Sequence, residues 1–166
     1  MAYVKSLDRI IAIFRGTEDA INWAEDFNFE KVPYSKCGNC HIHAGFYLSY
    51  LSVAPRLNDA LEQLMKEHPD TPLLVAGTSL GGALATVAAI ELQLKYNKVE
   101  QLHAAGCPRV GNLNLAKFIS ARVPRLYRPV HYRDIVPHVP LLSQDFHHPA
   151  REIFFDEAMQ QYVVCD

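Results

Sequence analysis

Apolar and polar positions follow two rhythms along this chain. Arg9-Ile-Ile-Ala-Ile-Phe14 is an unbroken apolar run that ends at Arg15-Gly16, the signature of a fully buried strand of the parallel-sheet type. Short apolar runs recur at Leu73 to Ala76, Leu102 to Gly106, Arg125 to Tyr132 and, as the last strand, Glu152 to Phe155. Between them the spacing turns helical. From Gly45 to His68 the residues Leu57, Ala60, Leu61, Leu64, Met65 and His68 fall on one helix face, and Pro55 predicts a kink or two separate helices. Ala83 to Tyr96 is apolar almost all round, which predicts a buried helix, and Asn112 to Arg122 predicts a further one. Thr17 is placed to cap a short helix through Phe27, with Glu18 and Asp19 in its first turn. Phe27 to Asn39 and the proline- and histidine-rich Asp134 to Pro149 read as loops. Strands alternating with helices predict an α/β fold built on a mainly parallel sheet.

The 166 residues fit a single domain, 1–166, with a core large enough to fold unaided. With 49% hydrophobic residues and a net charge of -2, the chain is far from the composition of a disordered one. The balance of 16 basic against 18 acidic residues leaves no electrostatic footprint for nucleic acid. No apolar run approaches the roughly 20 residues of a transmembrane helix, and the first residues carry charges where an export signal would be apolar.

One turn carries chemistry. Gly77-Thr78-Ser79-Leu80-Gly81 fits G-x-S-x-G, with a predicted strand leading in and a predicted helix leading out. That context holds a serine in a strained turn with its hydroxyl at the strand's end, and the helix N-terminus offers N–H groups to a developing oxyanion. A phosphate-binding loop is the rival, but no lysine follows the glycines. A serine nucleophile needs an acid and a base, which in this fold follow it in the order acid, then histidine. Asp134 stands just past a predicted strand, and His147 and His148 lie further on, in the loop before Glu152. These spacings read as successive loops over one sheet edge. The pair Cys37-Gly-Asn-Cys40, followed by His41 and His43, leaves three readings open: a tight disulfide, a zinc site or a redox pair.

Taken in order, Ile13-Phe-Arg-Gly-Thr17, Asn22-Trp23, Cys37-Gly-Asn-Cys40, His43-Ala-Gly-Phe46 and Gly77-Thr-Ser-Leu-Gly-Gly-Ala-Leu-Ala85 form a series. It continues through Cys107-Pro-Arg-Val-Gly-Asn112, Asp134-Ile-Val-Pro137 and His148 with Glu152. The chain thereby resembles the class 3, fungal-type triacylglycerol lipases of the α/β-hydrolase superfamily. The resemblance implies that fold, a mainly parallel central sheet flanked by helices, here truncated at both ends because relatives carry more sequence on either side. It implies cleavage of carboxylic esters, foremost lipid esters, by Ser79, Asp134 and His148. His148 is preferred to His147 because the family's histidine stands four positions before a glutamate, here Glu152. Backbone N–H groups of Thr17 and Leu80 are implied as the oxyanion hole. Feruloyl-type carboxylesterases, phospholipases and non-catalytic lipid- or partner-binding relatives share the scaffold and stand as alternatives.

The resemblance further implies that Glu18 to Phe27 is a lid, with Ala20, Trp23, Ala24 and Phe27 on its apolar face. It favours a Cys37–Cys40 disulfide over zinc, whose usual separated ligand pairs do not fit so compact a spacing, and hence secretion. No metal or other cofactor is implied. The expected partner is a lipid or ester substrate, met at a lipid–water interface, with no nucleic acid and no membrane span. Thr78 departs from the family, which usually has histidine before the nucleophile.

Overall fold

The computed structural model describes residues 1–17 and 29–165. Among these, the strands β1 (Ala2–Val4), β2 (Arg9–Phe14), β5 (Leu73–Thr78), β6 (Val99–Ala105), β7 (Arg125–His131), β8 (Glu152–Phe155) and β9 (Tyr162–Cys165) form one sheet in the order β1-β2-β5-β6-β7-β8-β9. The pairs from β2 through β8 are parallel, and the two outer pairs are antiparallel. A separate antiparallel pair joins β3 (Lys31–Pro33) to β4 (His41–His43). The helices are α1 (Ala44–Glu67), α2 (Leu80–Tyr96) and α3 (Leu113–Ser120), and two 3₁₀ turns, Val136–His138 and Leu142–Gln144, punctuate the proline-rich loop.

The predicted α/β architecture is thus present, with two corrections at its margins. Glu152–Phe155 is not the last strand: the Asp156 carboxylate accepts from the N–H groups of Gln160 and Gln161 and turns the chain back into β9. The short strands β1, β3 and β4 escape a reading that depends on runs of apolar residues, because three residues are too few to establish a period.

Burial alternates along the sheet. Ile10, Ala12, Leu73, Val75, Leu102, Ala104, Leu126 and Val130 point to one face and are buried there. That is the face on which α2 packs, against β2, β5 and β6, with α1 packed on α2. On the other face lies an apolar groove of about 600 Å³, lined by Ile13, Ala76, His103 and Pro129 among others. Ile13 is 72% exposed, so β2 is buried on one face and not on both.

Helix α2 is apolar all round, as predicted, because the sheet lies beneath it and α1 beside it; ten of its residues are buried. Helix α1 runs unbroken through Pro55. The proline sits among exposed residues, where water satisfies the carbonyl that its missing N–H leaves unbonded. Phe46, Tyr50 and Leu61 are buried along α1, and Ala60, expected on its inner face, is exposed. The helix opens on His43, whose Nδ1 accepts from the Phe46 N–H at 3.3 Å.

Candidate active site

The end of β5 passes into α2 through a single residue, Ser79, at φ 54° and ψ -128°. A side chain rarely adopts this backbone, and it persists only where its surroundings over-determine it. They do so here. The Ser79 N–H donates to Ala105 O at 2.9 Å, and Ser79 O accepts from the N–H groups of Gly82 and Ala83. The flanking glycines follow from space. A Cβ on Gly77 would lie 2.1 Å from Gly81 O, and one on Gly81 would lie 2.3 Å from Phe14 O. The elbow is therefore pressed against the end of β2, and only glycine fits at either side.

Three further elements end at the same edge. A Cβ on Gly16 would lie 3.5 Å from Ser79 Cβ, which brings the turn carrying Thr17 against the elbow. Thr17 Oγ1 and Ser79 Oγ are both buried without a hydrogen-bond partner among the described residues. Leu80 opens α2, where the first N–H groups have no partner within the helix and the helix dipole is positive. Asp134 follows β7. Its N–H donates to His131 O, its Oδ1 accepts from the Val136 N–H at 3.0 Å, and its Oδ2 lies 2.9 Å from where a Gly106 Cβ would stand. Gly106 directly follows Ala105, the residue that holds the Ser79 N–H. Thr17, Ser79, Leu80 and Asp134 thus converge at the C-terminal ends of parallel strands, where ligands of open α/β sheets bind.

His148 is not brought to this group. Its Nε2 donates to Pro137 O at 2.8 Å, and its Nδ1 is buried without a partner among the described residues, so the ring bonds neither Ser79 nor Asp134. The topology gives the reason. β8 runs parallel to β7 with Glu152 opposite Arg128, so the chain enters β8 at the sheet edge opposite the elbow. Burial, and then the nearby Arg128 guanidinium, push the His148 imidazole down to about 3. Arg128 is itself buried, its Nε donating to Pro149 O at 2.7 Å and its Nη2 to Glu152 at 3.2 Å. The candidate His147 is held elsewhere too, with its N–H on Gly111 O and its Nε2 beside Asp145.

A disulfide joins Cys37 to Cys40, so the two sulfurs that a zinc site would use are bonded to each other. Burial pushes the Cys107 thiol up to about 12, against a smaller lowering from the neighbouring Thr86 hydroxyl. The lid residues Ala20, Trp23, Ala24 and Phe27 lie outside the described residues. Sequence reasoning missed Arg109, which binds the loop bearing Asp134. The available signal was an arginine between Pro108 and Val110, both buried, in a turn.

The chain matches the family described as lipase (class 3) over residues 11–144. It is 36% identical over 143 residues to the secreted mono- and diacylglycerol lipase A of Penicillium camembertii, covering 86% of this chain and 47% of that one. It is 32% identical over 160 residues to a lipase of Rhizopus oryzae, covering 94% of this chain and 41% of that one. Among solved structures, lipase II from Rhizopus niveus superposes with a TM-score of 0.93 at 30% identity, covering 98% of this chain and 63% of that one. The triacylglyceride lipase of Rhizomucor miehei gives 0.91 at 31% identity, covering 98% and 63%. The chain spans about half the length of the curated relatives it matches. In sequence and in fold, the chain belongs to the class 3 lipase family.

Proposed function

We propose that the protein hydrolyses carboxylic esters, foremost lipid esters of glycerol, with Ser79 as nucleophile. The observation that carries this reading is the strained Ser79 backbone at the passage from β5 to α2, with the turn carrying Thr17 packed beside it. Ser79 Oγ adds to the ester carbonyl, and the N–H groups of Thr17 and Leu80 take the charge that develops on its oxygen. The alcohol leaves with a proton, and water then releases the acid from the acyl-enzyme. Asp134 orients the imidazole that relays these protons. Among the described residues no imidazole bonds Asp134, and His148 is held on Pro137 O instead. The relatives named as secreted, together with the Cys37–Cys40 disulfide, support secretion.

The position of His148 also favours a second reading, a lipase-like fold that binds an ester or lipid without turning it over. Hydrolysis of p-nitrophenyl butyrate and palmitate, measured beside Ser79→Ala and Asp134→Asn, decides between them. The first reading expects a loss of at least about 10³-fold in Ser79→Ala and a large loss in Asp134→Asn. The second expects folded protein with no turnover and no labelling of Ser79 by a fluorophosphonate.

A further inference from the structure

We propose that Arg109 and His148 are positioning residues that clamp the loop bearing Asp134, and that they act on ester hydrolysis only through that acid. The inference rests on the reading of Ser79 and Asp134 given above.

Four consecutive carbonyls, from Pro137 to Pro140, are bound by donors outside that run, in Arg109 and His148. His148 Nε2 donates to Pro137 O at 2.8 Å. Arg109 Nη1 donates to His138 O and, at 2.7 Å, to Pro140 O, and the Arg109 N–H donates to Val139 O at 2.9 Å. Residues 134–140 cannot provide these donors for themselves. Pro137 and Pro140 have no N–H to offer, and the 3₁₀ turn Val136–His138 pairs only the His138 N–H with Ile135 O and the Val139 N–H with Val136 O.

The clamped run begins one residue after Val136, whose N–H holds Asp134 Oδ1 at 3.0 Å. Val136 and Pro137 are buried, so the held backbone has little room to drift. Arg109 also belongs to the turn that follows Gly106, against which the other carboxylate oxygen rests. The two clamping residues therefore set the acid from opposite directions: Arg109 from the end of β6, His148 from the approach to β8. A guanidinium suits its post because one Nη carries two N–H groups and can serve two carbonyls at once. For His148 the geometry calls for a donor on Nε2 and nothing else, so an amide can replace the ring.

That last point supplies the test. Arg109→Met, Arg109→Lys, His148→Leu and His148→Gln are each made in the native protein and in Asp134→Asn. The kcat and KM for p-nitrophenyl butyrate are measured, with hydrogen exchange at the Val136 amide. The clamp predicts that Arg109→Met and His148→Leu lower kcat by about 10- to 100-fold, the cost of a small misplacement of a catalytic group, and leave KM unchanged. Arg109→Lys and His148→Gln recover to within a few-fold, and exchange at Val136 quickens in step with each loss. In the Asp134→Asn background the same changes cost little more, because the acid they position has gone.

Inactivation of His148→Gln to the level of Ser79→Ala, with Val136 exchange unchanged, would make His148 the base and overturn the clamp. Losses that add in full to that of Asp134→Asn would also overturn it. If the unsubstituted protein hydrolyses no ester, the reading of the site fails, and exchange alone decides the clamp. Faster exchange at Val136 in Arg109→Met and His148→Leu upholds it, and unchanged exchange refutes it.

Discussion

The serine elbow and the approach to β8 were both expected to be active-site loops, and the two are built differently. The elbow combines a contiguous stretch of chain with two neighbouring strand ends, Ala105 holding the Ser79 N–H and Phe14 O pressing on Gly81. β5, Ser79 and α2 are contiguous, and the two glycines are demanded by backbone atoms at 2.1 and 2.3 Å from their absent side chains. The approach to β8 takes its geometry from partners far along the chain: Pro137 for His148, Gly111 for His147, Arg128 for the carbonyl of Pro149. The difference teaches a rule of direction. Residues that follow a parallel strand stand at the edge of the serine elbow, and residues that precede one enter from the opposite edge. Ser79, Thr17 and Asp134 follow their strands, whereas His148 precedes its own.

The comparison can be broken most forcefully at the elbow. Gly81→Ala places a Cβ against Phe14 O and Arg15 O, both rigid backbone, and is expected to cost about 3 kcal/mol or more. Urea unfolding measures it, with Gly38→Ala as the control. Nothing lies within 4 Å of a Cβ at Gly38, and that change is expected to stay within about 0.5 kcal/mol. Equal costs at the two positions would remove the claim that the elbow is sterically dictated.

The β8 approach is sharpened by pH. The His148 imidazole is held at about 3 in the folded protein against an ordinary 6.5, so the folded state refuses a proton that the unfolded state takes. Stability is therefore full above about pH 6.5 and falls as pH drops from there toward 3, by up to about 1.4 kcal/mol per unit from this one group. Unfolding midpoints at pH 7, 5 and 4 should show a steeper acid decline in the native protein than in His148→Gln. Parallel declines would mean that the ring is not buried as described.

Smaller effects follow. Replacing Cys37 and Cys40 together by serine should lower stability by about 2 kcal/mol, the entropy of a short closed loop, with no loss at the elbow beyond it. Ser79→Gly should abolish hydrolysis yet raise the melting temperature, since glycine adopts the strained backbone freely, a gain of about 1 kcal/mol. A melting temperature that falls instead would place the strain elsewhere.

The apolar runs, the G-x-S-x-G pattern around Ser79 and the position of Asp134 after β7 were legible in the sequence, because each shows as a pattern within a few residues, although the contact that requires Gly81 comes from Phe14. The period of α2 and the parallel sheet were legible for the same reason. Pairing decided the rest. β1 and β9 are strands only because β2 and β8 lie beside them, and α1 continues through Pro55 only because that turn faces water. The roles of Arg109 and His148 depend on the register that sets Glu152 opposite Arg128 and on a loop folded back across it. A sequence records which side chains are available and how they repeat. Which distant carbonyl a histidine meets is settled by strand order and register, and those are fixed only when the whole sheet is assembled.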